Sequence, residues 1–169
     1  MPDHASHSTR FVADAMLGSL ARKMRALGFD TTYYSEGDDE GILRVGRAQG
    51  RVILTADKAL ADRARHGSAI ALLISGRSDG RRLASLLVAA KLSGVGLSRG
   101  RPFCSLCDGV LRKVRRADVA GRVPLMVERR HRVFYRCTSC GQYYWKGSHW
   151  KKLRWLERVV AEVHLDTVS

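Results

Sequence analysis

Short apolar runs and amphipathic stretches alternate along residues 10–92. Phe11-Val12-Ala13 is an unbroken apolar triplet ending at Asp14, and it predicts a short buried strand. Leu17, Leu20, Ala21, Met24 and Leu27 then recur at helical spacing. Arg22, Lys23 and Arg25 fall elsewhere on that wheel, and Gly28 stops the helix. Thr31-Thr32-Tyr33-Tyr34 is β-prone. Asp38-Asp39-Glu40 makes an acidic first turn for a second helix, predicted to run to Gln49 and end at Gly50. Gly46 inside it is expected to loosen it by about 1 kcal/mol relative to alanine. Val52-Ile53-Leu54-Thr55 is the clearest strand, and Asp57 follows it. A short helix over residues 58–65, a strand over 70–74 and an amphipathic helix marked by Leu83, Leu86, Leu87 and Ala90 complete the series.

Strands that are apolar on both sides, alternating with helices, predict an α/β domain whose mainly parallel sheet is covered on both faces. Residues 1–9 read as a disordered tail. Residues 93–100 turn Gly/Ser-rich and read as a linker. The domain is therefore placed at 10–92, and a second module at 101–169. That module is predicted to end in a basic helix over about 148–163.

Charge separates the two parts. Residues 1–100 hold 15 Lys/Arg against 10 Asp/Glu, whereas residues 101–169 hold 15 against 6. A field of that sign attracts polyanions. No apolar segment is long enough to span a bilayer and residues 1–9 have no apolar signal core, so a soluble, cytoplasmic protein with no membrane partner is expected.

All four cysteines lie in the basic module. Cys104-x-x-Cys107 and Cys137-x-x-Cys140 are separated by 29 residues. Paired knuckles place four thiolates around one tetrahedral ion, and a reducing compartment disfavours the alternative of disulfides. Four thiolates leave no open coordination position, so the expected Zn²⁺ is structural. Gly109 and Gly141 suit the tight turns after each knuckle, and strands are expected around Val110-Leu111 and Val133-Phe134-Tyr135.

Asp14 and Asp57 sit just beyond predicted parallel strands, at the edge where open α/β sheets build sites. Asp39 opens the helix between them. Two readings stand. The three carboxylates converge on a Mg²⁺ or Mn²⁺ ion, with Asp38, Asp62 or Asp79 as additions, or each simply caps the helix it precedes. There is no P-loop, dinucleotide fingerprint, nucleophile elbow or H-E-x-x-H motif.

Several of these stretches together resemble one family. Residues 11–25 (FVADAMLGSLARKMR), 39–43 (DEGIL), 51–57 (RVILTAD) and 144–150 (YWKGSHW), in that order, resemble the Mut-seven-C ribonuclease domain, a PIN-like nuclease fused to a zinc ribbon. The resemblance covers about residues 10–160. It implies a PIN-like three-layer α/β/α fold, divalent-metal hydrolysis of RNA phosphodiesters, and Asp14, Asp39 and Asp57 as the metal-binding acids. One departure is Ala56, where the family usually has Arg between Thr and Asp.

RNA contacts are expected from Arg22, or else Arg22 belongs to a solvated helix face. Basic runs at Arg112, Lys113, Arg115 and Arg116, at Arg129, Arg130, Arg132 and Arg136, and at Lys151, Lys152, Arg154 and Arg158 suit a phosphate backbone. Tyr143, Tyr144, Trp145 and Trp150 either stack on unpaired bases or form the ribbon's own core. His149 either contacts phosphate or holds the start of the last helix. The leading expectation is a metal-dependent ribonuclease acting on RNA, structured RNA such as tRNA included. The alternatives are an RNA-binding module with a degenerate nuclease fold, and a toxin-like ribonuclease restrained by an inhibitory protein partner.

Overall fold

The computed structural model describes residues 9–97 and 100–147. Four parallel strands form the main sheet in the order β2-β1-β3-β4: β1 (Phe11–Ala13), β2 (Thr31–Tyr33), β3 (Val52–Thr55) and β4 (Ala71–Leu73). Between and after them come α1 (Gly18–Ala26), entered through a 3-10 turn at Ala15–Leu17, then α2 (Asp39–Gln49), α3 (Lys58–His66) and α4 (Asp79–Leu92). Every strand and helix predicted for residues 10–92 is present, with ends displaced by a few residues.

The alternation of side chains along each strand divides the core in two. Phe11, Ala13, Val52, Leu54 and Leu72 face α1 and α4, meeting Leu20, Met24, Leu83 and Leu87. Val12, Ile53 and Ala71 face α2 and α3, meeting Ile42, Leu43, Leu60 and Ala64. The sheet is thus sandwiched between two helix pairs. Burial on both faces explains why β1 and β3 are nearly unbroken apolar runs, while the edge strand β2 carries Thr and Tyr. Gly46 has a reason beyond helix propensity. A Cβ there would come within 2.8 Å of the Ile53 side chain, so its bare backbone lets α2 lie close against β3.

The chain leaves β1 towards β2 by way of α1, then returns past β1 to β3 by way of α2 on the opposite face. The carboxyl ends of β1 and β3 therefore lead into helices on opposite faces. The crevice between them is the sheet's topological switch point.

Residues 110–145 fold into a second, antiparallel sheet in the order β5-β6-β7: β5 (Leu111–Val114), β6 (Phe134–Cys137) and β7 (Tyr143–Trp145). A 3-10 turn (Arg116–Val119) and α5 (Leu125–Arg130) fill the long β5–β6 connection. Neither these nor β7 follow from the apolar pattern. No residue of α5 is buried, so it carries no apolar stripe. The predicted basic helix at 148–163 lies outside the described residues, as do residues 1–8.

Within residues 93–100 the described part is anchored to the domain at several points. Val95 and Leu97 rest against the α1/α4 side of the core, and the Gly100 amide donates to the Gly28 carbonyl at 2.8 Å. Arg25 then ties the two sheets together. Its Nε donates to the Thr31 carbonyl (2.6 Å), its Nη1 to the carbonyls of Ser105 (3.1 Å) and Leu106 (3.2 Å), and its own carbonyl accepts from the Phe103 amide. Asp108 Oδ1 lies 3.6 Å from Arg25 Nε, near enough for charge attraction and too far for a hydrogen bond. Burial pushes the Asp108 carboxyl above the ordinary carboxylate range, and Arg25 opposes the shift.

Arg25 keeps 5 % side-chain exposure, so its removal strands a half-buried carboxylate and three carbonyls. Arg25→Met is expected to destabilise the protein by about 3 kcal/mol. Adding Asp108→Asn should recover part of that loss. Denaturant unfolding of the two single variants and the double variant checks this; additive losses would mean the two groups do not interact.

Candidate active site and metal centre

At the switch point the Thr55 hydroxyl stands between two acids. It donates to Asp14 Oδ2 (2.9 Å) and accepts from the Asp57 amide (3.0 Å). Thr55 is fully buried, so this bridge is fixed, while Asp14 is half-buried and Asp57 exposed. The Asp14 amide donates to the Leu54 carbonyl, which extends the β1–β3 pairing and sets Asp14 beside Thr55.

The two acids differ in their other duties. Asp57 caps α3, its Oδ1 accepting from the amides of Ala59 (2.7 Å) and Leu60 (3.3 Å). Asp14 precedes the 3-10 turn but makes no side-chain cap. The capping reading therefore holds for Asp57 and not for Asp14.

Asp39 starts α2, whose cap is the neighbouring Asp38. Asp38 also accepts from the Tyr34 hydroxyl, and that bond, with the Gly41 amide, holds its carboxyl below the usual range. Asp39 Oδ2 pairs with Arg63 Nη1 at 2.6 Å, and the same guanidinium bonds Glu40. With Asp39 40 % and Arg63 46 % exposed, the pair is a screened surface bridge. Since α2 follows β2, Asp39 lies at the same edge of the sheet as Asp14 and Asp57. The three carboxylates are nevertheless not drawn into one set of ligand atoms. Among the described residues, the four cysteines are the one group of three or more side chains so placed. Asp62 pairs with Arg65, and Asp79 with Lys23 and Ser19. Arg22 is exposed on α1.

The cysteine site is built at the start of β5 and the end of β6. All four sulfurs lie within 4.8 Å of one another, with Cys104–Cys140 at 3.6 Å and Cys107–Cys137 at 3.5 Å. These spacings are too long for disulfides. They fit the edges of a tetrahedron with metal–sulfur bonds of about 2.3 Å, which are about 3.8 Å. Burial raises the Cys137 thiol, but amides of Cys140 and Ser139 and thiols of Cys107 and Cys140 together hold it down at about 6, while burial and the neighbouring thiols push its partner Cys107 up to about 12, so the pair favours one thiolate facing one thiol. Gly141 takes the positive φ of +76° expected after a knuckle. In the first knuckle that role falls to Asp108 (φ +65°). Gly109 serves close approach instead: a Cβ there would meet Cys137 Sγ at 2.7 Å.

The residues expected to contact RNA divide. Arg112, Lys113, Arg115 and Arg116 are exposed, with Arg115 paired to Asp118. Tyr144 is turned inward, its hydroxyl 3.0 Å from Cys104 Sγ and 3.2 Å from Ser105 Oγ. Burial and the Cys104 contact push that phenol up to about 12. Trp145 is half-buried on β7. His149, Trp150, Lys151, Lys152 and Arg154 lie outside the described residues.

A family model for the Mut7-C RNAse domain matches residues 9–156. The chain belongs to that family. No curated protein and no solved structure matches it. The Mut7-C match spans both the parallel sheet and the cysteine site, and it points to nuclease chemistry and to RNA. Among the described residues no helix is long and apolar enough to cross a membrane. Within the Mut7-C chain, sequence reasoning passed over Thr55, Arg63 and the clamping role of Arg25. Thr55 reads in the sequence as the end of a strand within the 51–57 motif, and nothing local signals that its hydroxyl links the Asp14 carboxylate to the Asp57 amide, 43 residues apart. Arg63 follows Asp39 by 24 residues, so that pair too is visible only in the fold.

Proposed function

We propose that the chain is a divalent-metal-dependent ribonuclease with a PIN-like nuclease domain and a structural zinc ribbon. The observation that carries this reading is the Asp14–Thr55–Asp57 arrangement at the switch point. Among the described residues Asp14 neither caps a helix nor joins an ion pair, and its one side-chain partner is the Thr55 hydroxyl. An all-oxygen donor set of this kind suits Mg²⁺ or Mn²⁺. Asp14 and Asp57 would hold the ion, with Asp39 joining on release from Arg63. When bound, the cation supplies an activated water and neutralises charge developing on the phosphate.

The chain's own residues have separate parts in this reading. Thr55 orients the Asp14 carboxylate and restrains the segment carrying Asp57. Arg63 holds Asp39 while the site is empty of substrate and is then near enough to meet RNA phosphate. The ribbon, with its surplus of cations, supplies affinity.

The Asp57 cap and the Asp39–Arg63 pair give some support to a degenerate, purely binding fold. Incubation with total RNA decides between them. Cleavage in Mg²⁺ or Mn²⁺, lost in EDTA and restored by Mg²⁺ or Mn²⁺ but not by Zn²⁺, is the expected result. Sequencing the new ends would show whether structured RNAs such as tRNA are favoured. RNA that is bound but left whole under every metal condition would establish the binding module instead.

A further inference from the structure

The antiparallel sheet has two faces. Cys137 and Tyr144 fall on the face turned to the first knuckle, and Arg112, Val114, Phe134, Arg136, Tyr143 and Trp145 on the other, where Phe134, opposite Trp145, is buried and Arg112 and Arg136 are exposed. On that second face the register sets Arg112 directly opposite Arg136, and Arg136 opposite Tyr143. Like charges directly opposite one another destabilise an antiparallel pair. Among the described residues neither guanidinium has a carboxylate at ion-pair distance. The acids nearest Arg112 in sequence are committed elsewhere, Asp118 to Arg115 and Asp108 to Arg25, and Glu128, the acid nearest Arg136, makes no ion pair with it. Arg136 lies instead over the Tyr143 ring, 5.7 Å from its centre.

Two shallow cavities open on this face. One, of about 380 Å³, lies between Arg112, Arg136, Thr138 and Ser139. The other, of about 310 Å³, lies between Arg122, Gln142, Tyr143 and Trp145. They meet at Cys140 and Gly141, which line both. Neighbouring strands are about 4.8 Å apart, so β5 to β7 spans about 10 Å. That length takes one phosphate and the base beside it.

We propose that this face of the ribbon is a binding site for single-stranded RNA, with Arg112 and Arg136 clamping one phosphodiester and Tyr143 and Trp145 receiving the adjacent base. Two guanidiniums on one side of a sheet match the oxygens of a phosphodiester and lose their mutual repulsion when it binds. An aromatic floor beside them rewards a base only if it is unpaired and able to stack. The site rests on the ribonuclease reading above and specifies where that RNA is held.

The test is fluorescence anisotropy of the full-length protein with a labelled twelve-nucleotide single-stranded RNA, in buffer without Mg²⁺ or Mn²⁺. Arg112→Gln with Arg136→Gln is expected to weaken binding at least about tenfold and to flatten the salt dependence by one to two counterions. Arg65→Gln with Lys91→Gln removes the same charge from exposed positions at the ends of α3 and α4 and should weaken it less than about threefold. Arg136→Lys keeps the charge and loses the fork. It should weaken binding about threefold with the salt slope unchanged, and it decides the matter if the double variant fails to fold. A duplex of the same sequence should bind less well. Equal losses from the two double variants, or equal affinity for the duplex, would overturn the site. Wild type that binds RNA and loses nothing on the Arg112/Arg136 change overturns the site and leaves the ribonuclease reading standing. Wild type that binds no RNA overturns both.

Discussion

Asp14→Asn is expected to leave the protein folded and to remove nearly all RNA cleavage. Asparagine keeps the size of aspartate and can still accept from the Thr55 hydroxyl, so the β1–β3 crevice retains its shape. What disappears is the charge that holds a cation. A bound metal contributes several kcal/mol of transition-state stabilisation, and each 1.4 kcal/mol is tenfold in rate, so a loss of at least about 100-fold is expected. Asp57→Asn should behave alike, because asparagine caps α3 as well as aspartate does. Asp39→Asn should change stability by less than about 1 kcal/mol, since its Arg63 bridge is exposed. Its cleavage tells whether the residue leaves Arg63 to join the site. Thr55→Val separates geometry from charge. It keeps both acids and removes the bridge, so a loss of about tenfold with metal affinity reduced would mark Thr55 as a positioning residue. The measurement is a thermal melt paired with an initial cleavage rate in Mg²⁺ and in Mn²⁺. Full activity in a folded Asp14→Asn protein would end the assignment.

The contrast among these three acids shows what a sequence can and cannot convey. Strand and helix identities along residues 10–92 are legible because the inner strands β1 and β3 are buried on both faces, the edge strand β2 is rich in β-branched and aromatic residues, and each helix carries an apolar stripe. Those are one-dimensional patterns. The cysteine site is legible because each knuckle is local and two knuckles make one tetrahedron. The duties of the acids are not local. Asp14, Asp39 and Asp57 all look alike in sequence, a carboxylate before a helix. Only the fold separates an uncommitted Asp14 from a capping Asp57 and an Arg63-paired Asp39. The same holds for Arg25. On the wheel it belongs with Arg22 and Lys23 as a basic face, yet the chain folds back at Gly100 to bury it beneath the first knuckle while Arg22 stays exposed. Elements without an apolar stripe, such as α5, leave no trace in the pattern at all.

Removing the metal from the cysteine site is expected to unfold the second sheet and loosen the first. The antiparallel module has little core of its own. Among its described residues only Cys104, Val119, Phe134 and Cys137 are buried, and two of those are the thiols themselves. So small a core cannot offset the entropy of ordering β5, β6 and β7. Ion binding must supply that difference, and structural zinc contributes roughly 10–16 kcal/mol in small modules. Protein purified without chelator should therefore carry one zinc per chain, and elemental analysis measures it. After chelation, amide exchange should speed by orders of magnitude across β5 and β6. The effect should also reach the parallel sheet through Arg25, whose Nη1 bonds end on the Ser105 and Leu106 carbonyls inside the first knuckle. When that knuckle opens, Arg25 loses those acceptors and the Asp108 charge together, and the α1–β2 corner it holds should exchange faster. The centre of β3 should stay protected, because Ile53 and Leu54 are buried between both helix layers. Cys107→Ser should reproduce the chelated state without chelator. Unchanged protection in β5 and β6 after the metal is shown to be gone would mean that the ribbon folds without an ion and that the four thiols have another role.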